Sequence, residues 1–198
     1  MVLNLEEEWA RRVERYSGKT VDELIAMANG DEIELLFSIE IALQQKAEKQ
    51  GAHSLSEEER IYLAIEALER EVNNGGYSQF FLNSSHEFAP IIVESLRRID
   101  CPKNAEIAAR AINAVRPASA SPDEVMKAVL AFANEEEERW EPKAGGVLER
   151  QASDADPSSH DAITEELDAC DRLYYSVGEN IGGQLIEFVK ANKSRIQP

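Results

Sequence analysis

Apolar positions recur along most of this chain at the spacing of helix faces, and no stretch keeps up the alternation of a half-buried strand. Ile61, Ile65, Leu68 and Val72 follow one another at intervals of four, three and four, which is one face of a helix. Ser56 with Glu59 makes a capping box at its start, and Thr20 with Glu23 makes another before VDELIAMAN. Asp31 is placed to cap a long helix through about Lys49, with Ile33, Leu36, Phe37, Ile41 and Leu43 facing inward and Gly51 closing it. Pro102 is a first-turn proline for a helix to about Val115. After the loop RPASASP, the residues Ser121, Pro122 and Glu124 open a helix whose inner face is Val125, Val129 and Phe132, with Trp140 a further candidate. Gly145 to Ser159 is rich in Gly, Ser, Asp and Pro and is expected to be the most mobile loop. Ile163, Leu167, Cys170, Tyr174 and Val177 form one closing seam, and Ile181, Leu185, Phe188 and Val189 another.

The expected fold is all-α, a compact multi-helix, bundle-like single domain. Residues 1–55 are expected as an N-terminal helical region packed on a main helical domain of residues 56–195. With 198 residues, 43% of them hydrophobic, the chain has enough apolar material to offset the entropy of ordering, which argues against disorder. Cys101 and Cys170 stand far apart with no CxxC pairing, so they suggest neither a disulfide framework nor a zinc knuckle, and both are expected in the core. MVLNLEEEWARR lacks a basic start followed by an apolar run, and no apolar stretch approaches membrane-spanning length. The reducing cytoplasm is the expected location.

Charge changes the picture. With 38 acids against 21 bases the formal net charge is −17, a surface that repels phosphates and anionic lipid and attracts basic partners. Direct binding to nucleic acid or membrane is thereby disfavoured. The excess is uneven: residues 1–70 hold 16 acids and 8 bases, residues 71–134 hold 7 and 6, and residues 135–171 hold 13 and 3.

The nearly neutral middle contains EVNNGGYSQFFLNSS, Glu71 to Ser85, which has no charged residue after Glu71. Asn73, Asn74, Gly75 and Gly76 follow the apolar stripe of the helix from Ser56 and have the residue types that close a helix and turn sharply. Tyr77, Phe80, Phe81 and Leu82 supply a short apolar helical turn. Asn83, Ser84 and Ser85 offer acceptors for the next helix's free amides, Ser84 and Glu87 having capping-box spacing, although Pro90 leaves that helix's start open. Gln79 and the asparagines are candidates for buried amides that pin the turn and need full hydrogen bonding.

These residues carry a family resemblance. EVNNGGYSQFFLNSS, the preceding IYLAIEALEREVNNGG and the closing EELDACDRLYYSVGENIGGQLIEFVKAN resemble the bacterial family of the DNA-mimic protein nineteen, long labelled a domain of unknown function. The resemblance runs from about Ser56 to Lys193. It implies an all-helical, dimeric, acidic decoy that occupies the DNA-binding face of a transcriptional regulator, with no cofactor. Within it Glu71, Asn73, Asn74, Gly75, Gly76, Gln79, Phe80, Phe81 and Asn83 are the motif, expected to be structural because the motif's own segment is close to neutral.

The candidate partner surface is the acidic strip. Glu135, Glu136, Glu137, Glu138 and Glu141 end one helix, and Asp154, Asp156, Asp161, Glu165, Glu166, Asp168 and Asp171 lie on a loop and the next helix. Carboxylates three or four apart on a helix lie about 5–6 Å from each other, a spacing that a groove of Lys and Arg can accept in place of phosphates. Thirty-seven helical residues span about 55 Å, so a net ten charges gives about one per 5.5 Å against one per about 1.7 Å in duplex DNA. One strip is therefore dilute and needs Glu57, Glu58 and Glu59, or a second subunit, beside it. The expected partner is a basic DNA-binding protein.

Other readings stay open at this point. A charge run is commonly a solvated helix face. An immunity-type inhibitor of a basic toxin or nuclease would use the same electrostatics, with Trp140 or Tyr174 as aromatic anchors. An enzyme would need Glu71, Tyr77, Gln79, Asn83, Ser84 and His86 to converge on a polar pocket. No HExxH, Gly-rich phosphate loop or GxSxG is present, and His53, His86 and His160 are scattered, so neither catalysis nor a metal site is expected.

Overall fold

A computed structural model describes residues 5–115, 122–139 and 157–198, and for 5–9, 122, 135–139 and 157–160 the backbone alone. The described residues are all-α: they form nine α-helices and two short 3-10 turns, with no strand among them. The contact pattern divides the chain into two compact units, residues 1–66 with 180–198, and residues 67–179.

The first unit contains α1 (Leu5–Tyr16), α2 (Val21–Ala28), α3 (Glu32–Gln50), the 3-10 turn Ala52–Ser54, the opening residues of α4 (Glu57–Leu82) and α9 (Ile181–Ala191). Capping fixes where these helices start. The Thr20 hydroxyl accepts from the Glu23 N–H at 3.3 Å while the Thr20 N–H donates to the Glu23 carboxylate at 2.8 Å, and Ser56 with Glu59 repeats that reciprocal pair. Asp31 caps α3 by accepting the Glu34 N–H at 3.0 Å, and Gly51 closes it with a positive φ of 88°.

Helix α3 packs on α1, α2 and α9, and buries Leu35, Ser38, Ile39, Ala42 and Leu43. That stripe corrects the inward face expected for α3. Ile41 and Leu43 are buried as anticipated and Leu36 and Phe37 are half-buried, but Ile33 is 81% exposed. At 100° per residue Ile33 lies well away from the Leu35–Ile39–Ala42 line, so its apolar character was no guide to the phase of the helix.

Glu59 ties α3 and the start of α4 to the last residues of the sequence. It is fully buried, forms a 2.8 Å ion pair with Lys46 of α3, and accepts the backbone N–H of Gln197 at 2.7 Å. The neighbouring Glu58, 3% exposed, pairs with Arg195 at 2.7 Å, and the Ser56 hydroxyl donates to the Arg195 carbonyl at 2.9 Å.

The second unit contains the rest of α4, the 3-10 turn Ser84–Phe88, α5 (Ile92–Arg98), α6 (Pro102–Val115), α7 (Pro122–Arg139) and α8 (Pro157–Ser176). Helix α6 packs against α5, α7 and α8. Its free N-terminal amides are met by a carboxylate distant in sequence: Glu179 accepts the N–H of Lys103 at 3.0 Å and of Asn104 at 2.8 Å. The expected inner faces recur in Val125, Val129 and Phe132 of α7 and Leu167, Cys170 and Tyr174 of α8, all buried, whereas Ile163 and Val177 are half-buried. The loop expected to run to Ser159 gives way to helix at Pro157. The rest of that loop, Trp140 and the segment 116–121 lie outside the described residues.

Removing one partner of a buried ion pair leaves the other charge uncompensated. Glu59→Ala is expected to lower the stability of the folded chain by about 3 kcal/mol or more, read as a reduced urea midpoint with an unchanged slope.

Candidate functional site

The Glu71–Ser85 motif forms a break and a return in α4. The helix runs regularly to Asn74, is interrupted at Gly75 (φ −166°, ψ 24°) and Gly76 (φ 79°, ψ −173°), and resumes through Leu82. Gly76 lies in a backbone region that is essentially glycine's own. The break leaves the Tyr77 amide without a helical acceptor, and Asp171 of α8 supplies one, its Oδ1 accepting that N–H at 2.8 Å. A β-carbon at Gly76 would overlap this carboxylate, so the glycine is required twice, for its dihedral angles and for the space that Asp171 occupies.

The motif's polar side chains serve the same turn. Glu71 is buried and accepts from Asn83 Nδ2 at 2.6 Å and from the Ser85 hydroxyl at 2.9 Å, with Arg70 Nε at 3.6 Å. This corrects the role expected for Asn83 and Ser85, which act as donors to a buried carboxylate. The Ser84–Phe88 segment is a 3-10 turn with no side-chain cap bond, so the Ser84 and Glu87 spacing builds no capping box. Asn73 bonds locally to the Glu69 carbonyl at 2.7 Å, Asn74 is exposed and Gln79 is half-buried. Phe80 and Phe81 are fully buried, meeting each other edge-to-face at 5.5 Å, and Phe81 meets Phe132 of α7 at 6.4 Å. Tyr77 packs edge-on against Tyr174 of α8 at 6.1 Å.

Three side chains of α8 converge on the break. Besides Asp171, the Tyr174 hydroxyl donates to the Glu69 carboxylate, and the Tyr175 hydroxyl donates to the Val72 carbonyl at 2.7 Å. Burial pushes the Glu69 carboxyl up to about 7 and raises Asp171 as well, the Tyr77 N–H bond opposing the rise at Asp171. Burial likewise drives Cys101 up to about 12 and Cys170 up to about 11, so both thiols stay protonated at neutral pH and lack the nucleophilicity of a thiolate.

Of the residues that an enzyme would need to converge, Glu71 is engaged by Asn83 and Ser85, Tyr77 is 1% exposed, and the Tyr77 hydroxyl and His86 Nδ1 are buried without a hydrogen-bond partner. Open clefts of about 560 and 460 Å3 lie elsewhere, one along Ala10, Val13 and Lys49, the other along Arg97, Arg110 and Glu166. Among the described residues no three His, Cys, Asp or Glu side chains group as a metal site requires.

The acidic residues separate into several environments. On α8, Asp161, Glu165 and Asp168 are exposed at intervals of four and three, which puts them on one face, while Arg172 stands one turn beyond. Glu166 turns aside to a bidentate pair with Arg110 of α6, one arm 3.0 Å long, and Asp171 turns in to Tyr77. Glu57 is exposed, but Glu58 and Glu59 are buried in the first unit and engaged with Arg195 and Lys46. Glu135, Glu136, Glu137 and Glu138 occupy the last turns of α7, with their side chains outside the described residues, as are Glu141, Asp154 and Asp156 altogether.

Fold and site together define an all-helical acidic protein organised on a broken, amide-rich helix. The chain belongs to the DMP19-like protein family, whose model matches residues 53–192, nearly the span over which the sequence resembles it. No curated protein and no solved structure matches the chain. No described helix is long and apolar enough to cross a membrane.

The two glycines are unequal. Gly76→Ala is expected to cost about 3 kcal/mol or more, the sum of a strained backbone and a displaced charge-assisted bond. Gly75→Ala, whose backbone any residue adopts and whose added methyl meets the movable end of Gln79, should cost about 1 kcal/mol in the same urea titration. The folded-state pKa of Glu69 is raised, so its contribution to stability is complete below about 4.5 and is lost as pH rises through about 7. Glu69→Gln should therefore raise the urea midpoint above pH 7 and flatten the fall seen in the parent protein between those values.

Proposed function

We propose that this protein is a non-enzymatic acidic decoy that occupies the DNA-binding face of a basic, DNA-binding partner such as a transcriptional regulator. The observation that carries the reading is the exposed face of Asp161, Glu165 and Asp168 within the family-matched region, in the segment where acids outnumber bases by 13 to 3. Those three carboxylates span about 10.5 Å of helix axis. That is about one charge per 5 Å, sparser than one strand of duplex DNA with a phosphate every 3.4 Å or so. The decoy therefore draws on further acids, Glu135 to Glu138, Glu141, Asp154 and Asp156, and on a second copy of the chain, so that it acts as a homodimer in the cytoplasm. The motif residues hold the scaffold, and Glu58 and Glu59 belong to the fold.

The test begins with proteins retained by the immobilised chain, each assayed on labelled duplex DNA. A retained partner should bind duplex, and adding this protein should release it. The complex should weaken by about tenfold or more between roughly 50 and 200 mM salt, because screening shortens the reach of exposed charges. The triple change Asp161→Asn, Glu165→Gln and Asp168→Asn should weaken the complex while leaving the melting temperature within about 5 °C, since exposed substitutions seldom exceed about 0.5 kcal/mol each. A salt-insensitive complex, or one that leaves the partner on its DNA, would contradict the proposal.

A further inference from the structure

Asp171 falls within the acidic strip by sequence, yet its carboxylate points at a backbone amide. We infer that Asp171 is a positioning residue, a latch seated in the gap left by Gly76, which fixes the register of α8 and so aims the Asp161, Glu165 and Asp168 face at a cationic partner. The inference rests on the reading of that face as the partner surface and assigns Asp171 a different part in it.

The geometry singles out this residue. Asp171 lies one turn beyond Asp168, at the edge between the exposed acidic face of α8 and its buried seam of Leu167, Cys170 and Tyr174. Its Oδ1 takes the Tyr77 N–H at 2.8 Å, and its Oδ2 lies where any side chain at position 76 would begin. An acceptor matched to one amide, in a slot that only glycine leaves open, tolerates neither sliding nor rotation of α8. The tie between α8 and α6, Glu166 to Arg110, joins two solvent-exposed side chains and is a weak constraint by comparison. The Tyr174 and Tyr175 hydroxyls reach Glu69 and Val72 on the turn of α4 that precedes the break, so the latch closes a three-point seat. A preorganised row of charges binds more tightly than the same charges on a shifting helix, because less order has to be imposed on binding.

The roles of latch and contact charge separate by substitution. Asp171→Asn discards the charge and keeps an oxygen that accepts the Tyr77 N–H, whereas Asp171→Ala discards both. Two readouts are taken: backbone amide exchange across α8 and at Tyr77, and binding of a deca-arginine peptide followed by the amide shifts of residues 161–172. Asp171→Ala should speed exchange at Tyr77 and along α8 by about tenfold to a hundredfold, as the loss of a bond to a charged acceptor implies. It should also weaken peptide binding at α8 by about threefold or more, while Asp171→Asn stays within about twofold of the parent in both. Equal loss of affinity in the two variants with α8 exchange unchanged would overturn the latch and make Asp171 a contact charge. If the alanine variant does not fold, Asp171→Asn decides alone: retained affinity supports the latch, and lost affinity with unchanged exchange overturns it. A parent protein that shows the expected exchange pattern but no peptide shifts on α8 would support the latch and overturn the reading of the acidic face.

Discussion

The second unit depends on one unmet amide. Gly75 and Gly76 interrupt the hydrogen-bond ladder of α4 just before Tyr77, and the donor left over is satisfied by Asp171 from a helix 94 residues further on. A buried amide without an acceptor is costly, so the break and the carboxylate require each other. Around them the chain places neutral donors and rings. Asn83 and Ser85 satisfy Glu71, while Phe80, Phe81 and Tyr77 fill the space between α4, α7 and α8. The run of amides, glycines, hydroxyls and aromatics inside so acidic a protein is thus the chemistry of a sharp turn built around buried carboxylates.

The carboxylates of this chain do two kinds of work, and their number alone conceals the division. Glu58, Glu59, Glu71, Asp171 and Glu179 are committed to arginine, lysine, amide or backbone partners within the fold. Asp161, Glu165 and Asp168, whatever their neighbours on α8, are exposed along one face of that helix. A net charge of −17 therefore overstates the negative surface that a partner can meet locally, and the density of phosphates on a duplex is approached only where several exposed acids are brought together.

Legibility followed the range of the interaction. The capping boxes at Thr20 and Ser56, the Asp31 cap, the Gly51 stop and the Pro102 start are set by residues three or four apart, and the sequence displays them directly. The DMP19-like resemblance was legible too, because the stretch that suggested it, Glu71 to Ser85, is long and unusual in composition. Hidden were the facts fixed by distant partners. Glu59 looked like one of three surface acids until Lys46 and Gln197 proved to enclose it, and Asp171 looked like part of a charge run until the break in α4 claimed it. Helix α1 had a local signal, three glutamates at its start and Arg15 in its last turn, that a search for apolar stripes passes over.

The central claim is that the working surface is the exposed acidic face of α8 and that the EVNNGGYSQFFLNSS turn is its support. Hydrogen–deuterium exchange of the chain with and without a retained basic DNA-binding protein tests it most directly. The account predicts that the partner slows exchange across residues 157–170 and the last turns of α7 and leaves residues 71–85 unchanged. Slowed exchange confined to residues 71–85, with α8 unaffected, would contradict it.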